Sequence, residues 1–145
     1  MMLWRLIAPA LCAVAALLVS EARAQALRTA DGAYSEAQAA RGRVSYEQSC
    51  ARCHGAELLG TYDTPSLRGR LIRHWSGTTL DGLADSLNRA MPIHAPGALS
   101  PAVNADILAY ILKVNGYPAG AKDLESDPAA LKTIRLAAPV DVLPK

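Results

Sequence analysis

Two cysteines and a histidine fall within five residues, Cys50-Ala51-Arg52-Cys53-His54, and they limit what this chain can fold around. Thiols three positions apart on one helical turn can each add across a vinyl group of a single porphyrin. The imidazole that follows is then held beneath the iron. The motif therefore reads as the attachment signature of a c-type haem, with Cys50 and Cys53 as the covalent points and His54 as an axial ligand. Two other readings compete. A thioredoxin-like redox pair needs a preceding strand and a βαβ setting, and neither is legible. A zinc site needs four ligands, which the two thiols and two of His54, His74 and His94 could supply. The histidine directly after the second cysteine favours haem over both.

The third cysteine, Cys12, lies in an N-terminal segment of a different kind. Leu6 to Val19 is an apolar run behind Arg5, and Ala22-Arg23-Ala24 follows as a small-x-small cleavage pattern. Residues 1–24 read as a secretory signal peptide removed before Gln25, which predicts export to the periplasm and no stable membrane insertion afterwards. The rival is an uncleaved anchor, but the run is short of the ~20 residues a span needs and contains Pro9. Leu11 stands before Cys12 where a lipoprotein signal wants a small residue, so lipidation is not expected. Beyond residue 24 only Cys50 and Cys53 remain, so no disulfide framework holds the exported domain together. A buried haem would supply the missing apolar bulk. Without Arg5, Arg23 and Glu21 the chain carries 13 Lys+Arg and 12 Asp+Glu. This near-neutral balance, with no basic stripe, argues against nucleic acid as a partner.

Along the chain, residues 25–35 are small and polar and read as a loose lead-in. From Glu36 a helical pattern begins, with Ser35 as N-cap and Ala37, Ala40 and Val44 on one face. Gly42 interrupts it, either for the close approach of another helix or as a tolerated surface residue. Gly55 to Trp75 has no sustained period and reads as an irregular connection that could wrap a cofactor. Leu80, Leu83, Ala84 and Leu87 predict a short helix, with Thr78 and Asp81 resembling a capping box, ending at Met91-Pro92. Ser100 and Pro101 open the strongest helix, whose stripe is Val103, Ile107, Tyr110, Ile111 and Val114. Lys113, Gly116 and Pro118 mark its end. Asp127-Pro128 can start a last short helix through Ile134. No strand alternation is visible.

Iron bound by His54 needs a sixth ligand or an open site. Met91 is the sole methionine outside the first 24 residues, and it sits on a loop before Pro92. A thioether opposite an imidazole raises the reduction potential. The rivals are His94 and His74, which would give bis-histidine iron, and Met91 as a core filler. His54 also needs an acceptor for its other ring nitrogen, and a carbonyl on the Thr64-Pro65 loop suits. Tyr62 and Trp75 are candidates to line the haem or to bond a propionate. Arg68, Arg70 and Arg73 are candidate propionate partners or a solvated basic face.

With these residues in view, the chain resembles a class I cytochrome c from about Gln38 to Gly120. The likeness rests on Tyr46, Cys50-Ala51-Arg52-Cys53-His54-Gly55, Pro65-Ser66-Leu67, Met91-Pro92 and Ala109-Tyr110-Ile111-Leu112. It implies an all-α fold in which N- and C-terminal helices cross and shorter helices and loops wrap one haem. It also implies Gly42 set against Tyr110, iron ligands at His54 and Met91, and the Pro65 carbonyl as acceptor from His54. Trp75-Ser76-Gly77-Thr78-Thr79-Leu80, Pro96 to Ser100 and Asn115 to Gly120 are similar to cytochrome c domains that accompany bacterial quinoprotein dehydrogenases. The expected organisation is thus a signal peptide (1–24), lead-in (25–35), cytochrome c domain (36–120) and a tail (121–145) that straps the domain or contacts a partner. The expected role is electron transfer, not catalysis, by one covalent haem c between a dehydrogenase and a terminal oxidase or another cytochrome. A permanent haem subunit of a dehydrogenase or other oxidoreductase complex is the alternative. A gas-binding or peroxidatic protein with an open distal site is the third reading.

Overall fold

A computed structural model describes residues 27–138. The expected signal peptide and Cys12 lie outside the described residues. Within them the chain forms helices and no named strand, so the architecture is all-α. The helices are α1 (Glu36–Ser49), α2 (Ala51–His54), α3 (Arg70–Trp75), α4 (Leu80–Ala90), α5 (Pro101–Val114) and α6 (Pro128–Leu131), preceded by a 3-10 turn at Thr29–Asp31.

The frame is the pairing of α1 with α5. Ser35 caps α1 by accepting from the Gln38 backbone N–H at 3.0 Å. The buried face of α1 is Gln38, Ala39, Gly42 and Tyr46. This corrects the expected face, because Ala37, Ala40 and Val44 all point to solvent. The physical reason is Gly42. A Cβ built there would stand 1.8 Å from the Asp106 carbonyl oxygen. The face that can come closest to α5 is buried, not the face richest in methyl groups. The expected partner of Gly42 is corrected as well. Gly42 meets the Asp106 backbone, while Tyr110, one turn further along α5, packs on Tyr46 with ring centroids 5.5 Å apart. At the rim, Arg41 reaches Asp106 at 3.1 Å and Asp123 at 2.7 Å.

Helix α5 opens where Ser100 and Pro101 predict, with the Ser100 hydroxyl accepting from Val103 N–H at 3.3 Å. It is buried on two sides. Ile107 and Ile111 join Tyr46 and Leu58 in a cluster that Cys50, Leu67, Leu87 and Leu99 border. Leu108, Ala109 and Leu112 face a second cluster with Tyr34, Ile72, Leu80 and Leu83.

Helix α4 forms over the predicted leucine stripe, but its start differs. The N-cap is Thr79, with no side-chain cap. Thr78 instead donates its hydroxyl to the Trp75 carbonyl at 2.7 Å. The first free N–H of α4, on Leu80, is taken by the Ile134 carbonyl at 2.9 Å. The tail thus supplies the partner that a capping residue would have given. The Gly55–Trp75 stretch is less irregular than its glycines suggest, since α3 occupies its end.

The lead-in packs rather than hanging free. Tyr34 is 1% exposed and donates to the Tyr117 carbonyl at 2.6 Å. The tail passes between the lead-in and the start of α4. Thr29 N–H donates to Arg135 O at 3.0 Å, and Leu136 N–H to Thr78 O at 2.9 Å. Leu124, Leu131, Ile134 and Leu136 are buried beneath it. The last short helix ends at Leu131, not Ile134, because the chain then extends to make these bonds. No helix among the described residues is long and apolar enough to cross a membrane.

Candidate functional site

Cys50 ends α1, donating its N–H to Tyr46 O at 2.8 Å, and the chain turns at once into α2. That single turn carries Cys50, Cys53 and His54, with His54 N–H bonded to Cys50 O at 3.0 Å. Gly55, at φ 77°, ends the turn in a conformation that disfavours a side chain. Its carbonyl accepts from the Tyr46 hydroxyl at 2.7 Å, which ties the turn to α1.

His54 is 7% exposed. Its Nδ1 lies 2.9 Å from the Pro65 carbonyl oxygen. A carbonyl only accepts, so Nδ1 carries the proton and Nε2 keeps its lone pair for a metal. The loop bearing Pro65 is itself held. Gly60 N–H donates to His54 O at 2.8 Å, and Leu67 N–H to Leu58 O at 2.9 Å. Asn115, 5% exposed, clamps the far side of that loop. It accepts from Gly69 N–H at 2.8 Å and donates to Leu67 O at 3.0 Å. No sequence signal marks Asn115 for this role, because the contact joins positions more than forty residues apart.

At the other end of the site, Met91 follows α4 and donates its N–H to Leu87 O at 3.1 Å. One cleft is lined by Cys50, Cys53, His54, Thr64, Pro65, Leu87, Met91, Pro92, Ile93, His94, Ile107 and Ile111, with Ser49 and Asp63 beside them. It encloses about 720 Å³ of empty space, its mouth included. The two thiols, the imidazole and the thioether thus converge on one space with mostly aliphatic walls. Burial, and then the neighbouring Cys53, pushes the Cys50 thiol up to about 11. Among the described residues no group of three or more His, Cys, Asp or Glu side chains could hold a bare metal ion. The zinc reading therefore loses its ligand set. The residues present instead fit a haem tethered through two thioethers, with an imidazole for its iron.

Several expected residues stand elsewhere. Tyr62 is fully solvent-exposed and does not line the cleft, because its loop turns back where Thr61 N–H bonds Thr64 O at 2.9 Å. Trp75 packs on Gly82, whose Cβ would meet its ring at 2.9 Å, and so belongs to the second core. Arg70 opens α3 on the exposed side, and Arg73 is exposed as well. Arg68 points to Glu57 at 3.4 Å. None of these lines the cleft, and neither does His74. The sequence reading missed the aliphatic lining, although Leu87, Ile107 and Ile111 were already on the predicted helical stripes.

The all-α frame and this cleft define a c-type cytochrome domain. Residues 37–111 match the family model described as cytochrome c oxidase, cbb3-type, subunit III, and the chain belongs to that family of cytochrome c domains. It is a haem-based electron-transfer domain that binds covalent haem c. The matched span contains Cys50, Cys53, His54 and Met91 but not the tail. No curated protein and no solved structure matches the chain.

Proposed function

We propose that this protein is an exported, periplasmic electron carrier with six-coordinate haem iron, ligated by His54 and Met91. The observation that carries the reading is the shared cleft: His54, its tautomer fixed by Pro65, and Met91 line the same space as both thiols. The bound haem supplies a one-electron iron couple. The chain's residues do the rest. Cys50 and Cys53 tether the group, and His54 presents Nε2. Met91 presents a thioether, which favours ferrous iron. Leu87, Ile107 and Ile111 keep water from one wall and lower the local dielectric, which also bears on the potential.

The donor we propose is a dehydrogenase of the quinoprotein type, from the likeness of the Trp75–Leu80 and Asn115–Gly120 stretches. The acceptor is a terminal oxidase or another cytochrome. Such encounters are small and transient, which suits a nearly neutral chain. The family description, as an oxidase subunit, favours a second reading, in which the domain is a permanent subunit of an oxidoreductase complex. Co-purification with a stoichiometric partner from native membranes or periplasm would select it.

The test is the ferric optical spectrum followed by stopped-flow reduction. The carrier reading expects low-spin iron, the weak far-red band of sulfur-ligated ferric haem, and fast reduction by a purified quinoprotein dehydrogenase. High-spin ferric iron would overturn it in favour of an open distal site.

A further inference from the structure

The loop that carries Met91 runs from the end of α4 to the start of α5, and one buried side chain fastens both of its ends. Asn104, on the first turns of α5, is 2% exposed. Its Nδ2 donates to Asn88 Oδ1 at 2.6 Å, in the last turn of α4 and three residues before Met91. The same Nδ2 group donates to Leu99 O at 3.4 Å, where the loop ends. Between these points the loop holds itself through two short turns, Ala95 N–H to Pro92 O at 2.8 Å and Ala98 N–H to Ala95 O at 3.1 Å. One turn further along α5, Ile107 lines the cleft. A single amide therefore joins the helix before Met91, the loop after it and the helix that floors the site.

A position needed only for packing would be filled better by leucine. Asn104 Oδ1 is buried with no hydrogen-bond partner among the described residues. An amide left half-satisfied in a core opposes folding. What the amide provides in exchange is its two donor hydrogens, and both are directed at the Met91 loop.

We infer that Asn104 is a positioning residue for the distal ligand: it holds the Met91 loop closed and so sets how readily another ligand displaces the thioether. The inference rests on the reading of Met91 as iron ligand. It follows that loop opening, not haem attachment, is what Asn104 controls. Asn88 is its working partner, and the contact with Leu99 is the weaker of the two by length.

The test is imidazole titration of the ferric holoprotein, read by the far-red band, in parallel with urea unfolding read by far-UV circular dichroism. Asn104→Leu should bind imidazole about tenfold more tightly than the wild type, as expected when a buried hydrogen bond that closes the loop is lost. Asn88→Leu should move in the same direction. Asn88→Asp, which keeps an acceptor for the Asn104 amide, should stay within about twofold of the wild type. Leu136→Ala, in the tail where the chain bonds Gly77 and Thr78 before the start of α4, serves as a control for general destabilisation. It should lower the urea midpoint and leave imidazole affinity unchanged. If Asn104→Leu does not fold, Asn88→Leu at its half-buried position carries the test. Unchanged imidazole affinity in both leucine variants would overturn the inference, and so would an equal rise in Leu136→Ala. A wild-type ferric protein without the far-red band would remove the Met91 reading itself, and the inference with it.

Discussion

His54 donates its Nδ1 proton to the carbonyl oxygen of Pro65 across 2.9 Å, and this bond decides which imidazole nitrogen faces the cleft. The acceptor belongs to a loop eleven residues downstream, so the ligand's orientation depends on how that loop folds. Gly60 is the point at which the loop can be disturbed without replacing either partner. It sits at φ 75°, and a Cβ there would lie 2.3 Å from Thr64 O and 2.7 Å from the Pro65 carbonyl carbon.

Gly60→Ala is expected to push the Thr64-Pro65 segment away from His54. The left-handed backbone alone should cost at least ~1–2 kcal/mol of stability. A weaker Nδ1–H bond makes the imidazole a less basic ligand, so the reduction potential should rise. Urea unfolding and potentiometric titration of the same sample measure both effects. An unchanged potential would mean that the Pro65 carbonyl does not tune His54.

Met91→Ala removes the thioether and leaves both cysteines and His54 in place. The far-red ferric band should disappear, and the potential should fall by roughly a few tenths of a volt, within the ~0.8 V that axial ligands command. Haem attachment, followed by the stained band on a denaturing gel, should persist. A potential equal to the wild type would show that Met91 is a packing residue.

Gly42→Ala tests the helix pairing. Its Cβ would overlap the Asp106 carbonyl group, which is backbone and cannot rotate aside. The expected loss is about 3 kcal/mol or more, at the upper end of overpacking effects. Ala40→Gly on the exposed face of the same helix should cost only about 1 kcal/mol. Denaturation midpoints of the two variants decide whether close approach or helix propensity governs position 42.

Three buried tyrosines predict loss of stability in alkali. Burial, and then Glu36, pushes the Tyr34 hydroxyl up to about 12. Burial is also the first cause at Tyr46, again to about 12, with Cys50 next, and burial raises Tyr117. Each donates to a backbone carbonyl, on Tyr117, Gly55 and Ala137 respectively. In the unfolded chain a tyrosine ionises near pH ~10. The folded state therefore holds these protons more tightly. The stabilisation is complete below about pH 10 and is lost as the pH climbs through about 12. Urea midpoints measured from pH 9 upward should fall in this window, and Tyr34→Phe should flatten part of the fall.

The local features were legible before the fold was known, because each depends on residues close in sequence. The Cys50–His54 turn, the Ser35 and Ser100 caps, the leucine stripe of α4 and the stop at Met91-Pro92 all depend on spacing within one or two turns. A carbonyl on the Thr64-Pro65 loop was already the expected acceptor for His54, and the family likeness singled out that of Pro65. The two differences in the helical frame share one cause: the face of α1 and the capping of α4 are settled by distant chain. Gly42 is buried because Asp106 lies against it, and Leu80 needs no side-chain cap because Ile134 reaches it.

By itself, then, the sequence determined the chemistry: two thiols and an imidazole at haem-attachment spacing, one methionine beyond them, and helices to carry both. Only the tertiary structure decided that these groups share one cleft, that Leu87, Ile107 and Ile111 wall it, and that Asn104 and Asn115 brace the two loops beside it. The physical reason is range. Caps, turns and attachment spacing are satisfied within a few residues. A cleft is made by surfaces that meet across the chain, and which surfaces meet depends on close approaches, such as Gly42 on Asp106, that no local pattern records.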